Sequence, residues 1–303
     1  MRLRGRVALL AIVTAGASCA RPQQPSSAGR ARAATVLAQR ASRLAQALQQ
    51  PVADSAKDEP LARWLLPATL AEVSGLALDR AERLFAHDDE RGHVFEIDYR
   101  RGLLVKEFLV GPRGLLADFE GLTIVGDVFY LFTSDGRIFT FREGGAGDRV
   151  AYTVHDTRLG RECEFEGITY DAAIHALVMA CKHVATRSLR NHVVIYRWKL
   201  GRGHGDRLSR IAIPEAQVIG ANDWKKFEPS DITVDPATGN YLLISARQRG
   251  LAEITPKGAV VRAGPLPEER KNAEGVAITR DSLLLISAEA AAGSASLSLY
   301  RRH

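Results

Sequence analysis

One short acidic element, written five times, constrains this chain more than anything else in it. Glu72-Val73-Ser74-Gly75-Leu76, Asp118-Phe119-Glu120-Gly121-Leu122, Glu164-Phe165-Glu166-Gly167-Ile168, Glu228-Pro229-Ser230-Asp231-Ile232 and Asn272-Ala273-Glu274-Gly275-Val276 begin 46, 46, 64 and 44 residues apart. Self-similarity at such a period marks stacked or radially repeated units, because no single unit can bury its own apolar face. Between the copies lie short apolar runs such as His93-Val94-Phe95-Glu96-Ile97-Asp98 and Val128-Phe129-Tyr130-Leu131-Phe132, separated by turns such as Gly126-Asp127 and Asp135-Gly136. Each unit therefore reads as a four-stranded meander.

The fifth unit is one strand short, while residues 61–66, ahead of the first unit, resemble the fourth strands. These two facts complete each other if the N-terminal strand joins the last sheet and closes a ring without an exposed edge. The expectation is an all-β, five-bladed β-propeller of four-stranded antiparallel blades over residues 61–303. Six blades is the alternative, but the extra blade would have to fit between residues 200 and 228, which are too few for four strands.

The net charge of +6 does not make a nucleic-acid protein of it. Arg2, Arg4 and Arg6 supply three of those charges and residues 19–60 another three, leaving 32 bases and 32 acids from Leu61 onward. The propeller is neutral, so a phosphate-binding surface is not expected.

Residues 1–19 begin with charge, continue through an apolar run at residues 7–13 and end in small residues before Cys19, the pattern of an export signal. The run is too short to span a bilayer. Ala17-Ser18-Cys19 is similar to a bacterial lipobox, with Gly16 where a Leu-like residue is usual; an ordinary signal peptide is the competing account. Lipidation at Cys19, with Ala20 after it, implies an exported outer-membrane lipoprotein facing the periplasm. Residues 20–60 read as a tether carrying one amphipathic helix over residues 33–50, stopped by Pro51. In an exported protein disulfides persist. Cys163 and Cys181 flank a turn near Asp171-Ala172, so either a disulfide or two separate buried thiols fits.

In a propeller the repeated element starts the innermost strand of each blade, and the second strand returns to the same face. Side chains at both places meet at one mouth of the central channel: Ser74, Glu120, Glu166, Ser230 and Glu274 from the starts, Asp88 or Asp89, Asp135, Lys182, Arg247 and Glu289 from the returns. Like charges this close raise each other's pKa or require a counter-charge. One answer is a hard cation such as Ca²⁺, bound by Glu120, Glu166 and Glu274. Another is neutralisation by Lys182 and Arg247, which also suit an anionic group of a ligand. A third is that each Glu only ties backbone amides of the next blade while each Gly serves a tight turn. His87, His183 and His192 show no metal-ligand spacing and read as surface histidines. Trp224 and Phe227 read as loop anchors. No His-Glu-x-x-His, Cys-x-x-Cys, Gly-x-Ser-x-Gly or phosphate-cradling loop occurs.

At Glu72-Val-Ser-Gly, Asp118-Phe-Glu-Gly, Glu164-Phe-Glu-Gly-Ile, Glu228-Pro-Ser-Asp-Ile and Glu274-Gly-Val-Ala with Ile286-Ser-Ala-Glu289, the chain resembles the SdiA-regulated, YjiK-like family of bacterial exported β-propellers. That family is similar in turn to the esterase-like regions of some phytase-like proteins. The resemblance covers residues 61–302. It implies a membrane-associated or periplasmic propeller with calcium or another ligand at the channel mouth, and it transfers no catalytic residue. Three functions follow as expectations: a binding module for a small-molecule ligand or envelope protein, a metal-dependent hydrolase of ester, lactone or phosphoester bonds, or a scaffold.

Overall fold

A computed structural model describes residues 27–50, 58–112, 115–201, 208–268, 272–290 and 293–302. Five sheets form five blades. The first holds β2 (Val73–Leu78), β3 (Leu84–Asp88), β4 (His93–Asp98) and β5 (Leu103–Val110); the second holds β6 (Phe119–Val125), β7 (Val128–Thr133), β8 (Arg137–Arg142) and β10 (Tyr152–Asp156). In the third are β11 (Cys163–Asp171), β12 (Ala176–Val184), β13 (His192–Lys199) and β14 (Leu208–Pro214). The fourth contains β15 (Asp231–Val234), β16 (Tyr241–Ser245), β17 (Gly250–Ile254) and β18 (Val260–Pro265). The fifth contains β19 (Ala273–Ile278), β20 (Leu283–Ala288), β21 (Ser296–Arg301) and, as its outer strand, β1 (Ala62–Leu65). Strand β1 pairs antiparallel with β21, Ala62 opposite Leu299 and Leu65 opposite Ser296, which is the expected ring closure.

One strand departs from the expected meanders. At the outer edge of the second blade the chain divides. Arg149–Val150 forms β9, parallel to β5 of the first blade, before Tyr152 begins β10. The detour covers the edge of β5, whose Leu109 and Gly111 amides bond to Asp148 and Val150 carbonyls at 2.9 and 2.8 Å. An otherwise open row of backbone groups is thereby paired.

Cores lie between neighbouring blades rather than at one centre. Between the first two blades, Phe85, Phe108, Phe119, Phe129, Phe139 and Phe141 are all buried, with Phe85 and Phe129 edge-on at 5.0 Å. Aromatic edge-to-face pairs contribute about 1 kcal/mol beyond area burial, which suits wedge-shaped gaps that aliphatic residues fill poorly.

Helix α1 (Ser27–Gln49) is no free spacer. Leu44 is 3% exposed against Leu61, Trp64, Tyr99 and Leu299 of the first and fifth blades. The Arg40 guanidinium lies 5.1 Å from the Trp64 ring centroid, and Arg301 donates to the Ala47 and Gln50 carbonyls that end the helix. Among the described residues no helix is long and apolar enough to cross a membrane. Cys19 and the segment read as an export signal lie outside the described residues.

Candidate functional site

The repeated element is a β-bulge. Register shifts fall between Val73 and Leu76, Phe119 and Gly121, Phe165 and Ile168, and Ala273 and Gly275, so the first few residues of four inner strands drop out of the ladder. A bulge leaves its extra residue unpaired and re-aims its side chain. The residues released are Ser74, Glu120, Glu166 and Glu274. The glycine that follows is fixed by crowding. A Cβ on Gly121 would stand 2.7 Å from the Ile168 amide, and one on Gly167, at φ +91°, 2.7 Å from the Asp231 Cα. Glycine at this position in four of the blades is what lets the inner strands approach this closely.

The fourth blade carries Asp231 where the others have glycine, and that aspartate plugs the channel. It is 2% exposed and accepts backbone N–H from Ile232 at 2.8 Å, from Val276 at 2.7 Å and from Leu76, which joins the inner strands of blades four, five and one. Burial pushes its carboxyl well up, against the three amides that draw it down. Nothing in the sequence repeat singled it out except its departure from glycine.

Above this plug the leading and returning side chains form a collar. Glu166, 4% exposed, receives the Lys182 ammonium. Burial raises the Glu166 carboxyl despite that partner; burial pulls Lys182 down, yet the carboxylates of Glu166, Glu120 and Glu274 leave it raised overall. Burial, followed by the charges of Glu166 and Asp118, pushes Glu120 far up, and Glu274 is pushed to about 8 by burial, Glu166 and Glu289. Three carboxyls thus share one ammonium. Arg247 pairs with Glu228 at 3.0 Å, and His183 bridges Glu164 at 3.0 Å and Glu228 at 3.5 Å. A cavity of about 590 Å³ opens here, lined by Lys182, Glu228, Ser230, Arg247, Asn272 and Glu274.

The other side of the collar has carboxylates without such partners. One oxygen each of Glu72, Asp89 and Glu289 lies within 4.8 Å of the other two, the one convergent His/Cys/Asp/Glu set among the described residues. Burial and the neighbouring acids raise Asp89 to about 6 and Glu289 to about 7. Asp89 Oδ1 is buried with no hydrogen-bond partner. An all-oxygen set with an orphaned buried atom fits a hard divalent cation. The sequence places Glu120, Glu166 and Glu274 in that role; of these, Glu166 is held by Lys182 instead.

The remaining candidates do structural work. Asp88 Oδ1 caps a turn through the Glu90 and Arg91 amides at 3.1 and 2.8 Å. Asp135 accepts from Thr133 Oγ1 at 2.6 Å and from Arg137 at 3.0 Å; these contacts outweigh its partial burial and hold its carboxyl below the usual range. Ser230 Oγ donates to the Ala273 carbonyl at 2.7 Å, tying blade four to blade five. Ser74 is buried, its carbonyl accepting from Ser287 Oγ at 3.2 Å. Cys163 and Cys181 form a disulfide, Cα to Cα 5.7 Å, beneath the collar. Phe227 is buried and Trp224 packs over Gly250.

His87 corrects the sequence reading. It is fully buried, its Nε2 accepting the bulged Gly75 amide at 3.1 Å and its Nδ1 facing the Asp88 carbonyl at 3.0 Å; burial depresses its pKa to about 4. A neutral histidine here satisfies an amide that the bulge removes from the ladder. A lone histidine in a strand gives no such warning from sequence.

With this geometry in place, comparison with known proteins gives an assignment. The profile of the SdiA-regulated family matches residues 65–292, most of the chain and the whole ring apart from its closing strands. The chain belongs to the SdiA-regulated family. No curated protein sequence matches this member of the family. Among solved structures, glutaminyl cyclase from Myxococcus xanthus is similar at 15% identity and TM-score 0.54, covering 80% of this chain and 94% of its own. The PQQ-bound aldose sugar dehydrogenase from Streptomyces coelicolor gives 14% identity and TM-score 0.49 over 79% and 98%. A gluconolactonase from Xanthomonas campestris gives 16% and 0.45 over 76% and 72%. At these identities the likeness concerns the propeller fold alone.

Proposed function

We propose that this SdiA-regulated protein is an exported, lipid-tethered binding module. Its collar holds a divalent cation, Ca²⁺ by its chemistry, and presents the adjoining cavity to a small ligand. The observation that carries this reading is the convergence of Glu72, Asp89 and Glu289 without a cationic side chain among them. The raised proton affinity of Asp89 and Glu289 means that the free site stores protons where a cation would sit. Lys182 and Arg247, across the collar, suit an anionic group on the ligand. Cys19 supplies the membrane attachment and an envelope protein is the alternative occupant of the mouth.

The test is thermal unfolding of the purified protein after EDTA treatment and after Ca²⁺ addition. Saturating Ca²⁺, at about one hundred times its Kd, adds about 2.7 kcal/mol to a site that exists only in the folded chain. Glu289→Gln removes most of that gain. No calcium-dependent shift in the unmodified protein rejects the cation.

Hydrolysis is the second reading: beside the Lys182–Glu166 pair, burial and the charges of Glu166 and Asp118 raise the Glu120 carboxyl, the direction that favours a proton-donating general acid. Ester, lactone and phosphoester substrates, assayed with the unmodified protein and with Glu120→Gln, decide it. Absence of turnover across all three classes removes this reading.

A further inference from the structure

The channel has a second mouth, where the inner strands end. Five equivalent positions, each two residues beyond the glycine of the repeat or its Asp231 counterpart, meet there: Ala77, Thr123, Thr169, Thr233 and Ala277. All five line a cavity of about 440 Å³ whose walls are otherwise largely aliphatic, from residues such as Leu78, Leu122, Ile124 and Ile278. The three threonines come from consecutive blades, so three hydroxyls stand on one side of the basin and two alanine methyls on the other.

These hydroxyls are unused. None of the three side chains has a hydrogen-bond partner among the described residues, and none of their oxygens is sealed from the cavity, although Thr123 is only 6% exposed. Threonine hydroxyls in strands ordinarily find a backbone or side-chain partner. Among the described residues the close inner-strand contacts around the Asp231 carboxylate lie between this basin and the collar, and the two cavities share no lining residue. At the lip Arg280 is held by Glu82 at 3.1 Å and Asp79 by Arg83 at 2.8 Å, and Arg80 is exposed. The charged residues of the lining, Asp79, Arg80, Glu82 and Arg280, sum to no net charge, and the rest of the basin is hydroxyl and hydrocarbon.

We infer that this mouth is a second binding site, independent of the collar, for a small uncharged molecule with an apolar body and alcohol, ether or carbonyl oxygens directed at Thr123, Thr169 and Thr233. The volume falls within the ~300–1,000 Å³ of small-molecule sites, which pair apolar walls with a few placed polar groups.

Prodan, an uncharged naphthyl ketone whose emission shifts to the blue in apolar surroundings, is the probe. With the full chain, saturable blue-shifted emission is expected. The Thr123→Val, Thr169→Val, Thr233→Val triple variant preserves shape and removes the donors, and weakens binding by about tenfold. Thr169→Trp fills the basin and abolishes the shifted emission, with far-ultraviolet circular dichroism verifying the fold. Glu289→Gln, in the collar, leaves prodan binding unchanged. The inference falls if the unmodified protein gives no saturable shift, if the filled variant binds as well as the original, or if the valine variant binds with undiminished affinity.

Discussion

The two mouths of this propeller are built from the same five strands and share almost no chemistry. At the leading end, a bulge in four of the five strands re-aims a side chain, a glutamate in three of them, and the collar carries more carboxyls than its basic residues neutralise. At the far end the ladder is regular, side chains alternate as in any strand, and the lining is threonine, alanine and branched aliphatics. Irregular backbone concentrates charge here, and regular backbone yields a hydrocarbon basin.

The largest expected effect comes from breaching the partition between the two. Asp231→Ala strips an acceptor from three inner-strand amides at once, and at about 1–3 kcal/mol for each orphaned buried donor the loss should reach about 4 kcal/mol. Urea unfolding measures it; a loss below about 1 kcal/mol would show that the partition does not depend on this carboxylate. Asp231→Gly, which restores the glycine of the other blades, should lose a similar amount for the same reason.

Next comes the cross-link that only the collar end possesses. Cys163 and Cys181 close a loop with a sequence separation of 18, and opening such a loop costs about 3 kcal/mol. Cys163→Ser with Cys181→Ser should lower the melting temperature and weaken the calcium response, while prodan binding at the far mouth holds. Equal damage to both mouths would erase the contrast.

A smaller effect separates the mouths by pH. In the folded chain Asp89, Glu289 and Glu274 release their protons near 6, 7 and 8, above the ~4 of unfolded carboxyls. The native state therefore holds protons that the unfolded state gives up, and stability falls as pH rises through that window. Ca²⁺ should flatten the decline, and Glu274→Gln should reduce its slope. A melting temperature that is constant from pH 6 to about 8.5 without Ca²⁺ would contradict the raised values. Smallest of all, the triple valine variant of the basin should change stability by no more than about 0.5 kcal/mol per site, since the hydroxyls it deletes bond nothing.

Much of this was legible because the repeat is loud. Glu-x-Glu-Gly announces a ring, and the missing fifth-blade strand together with residues 61–66 announces how the ring shuts. The collar was legible as a neighbourhood, since hairpins return to where they began. Its internal pairing was not. Whether Glu166 meets Lys182 or a cation depends on rotamers, and the choice of Asp89 over Asp88, with a cation in view, follows only from its convergence with Glu289 and Glu72. Asp231 stands in the sequence as part of one more copy of the repeat, and only its three amide contacts mark it as the plug. The basin left no trace, because threonine is a common strand former and three of them in register say nothing until the register is seen.

The closing strand has a consequence for how the molecule comes into being. Ala62 waits for Leu299 and Leu65 for Ser296, so a chain delivered N-terminus first stays an open arc until its final hairpin is available. Every intermediate along the way exposes the flank of its newest sheet, and nicking or shortening the final strand unlatches the first. Proteolysis at one end of this protein would therefore be felt at the other.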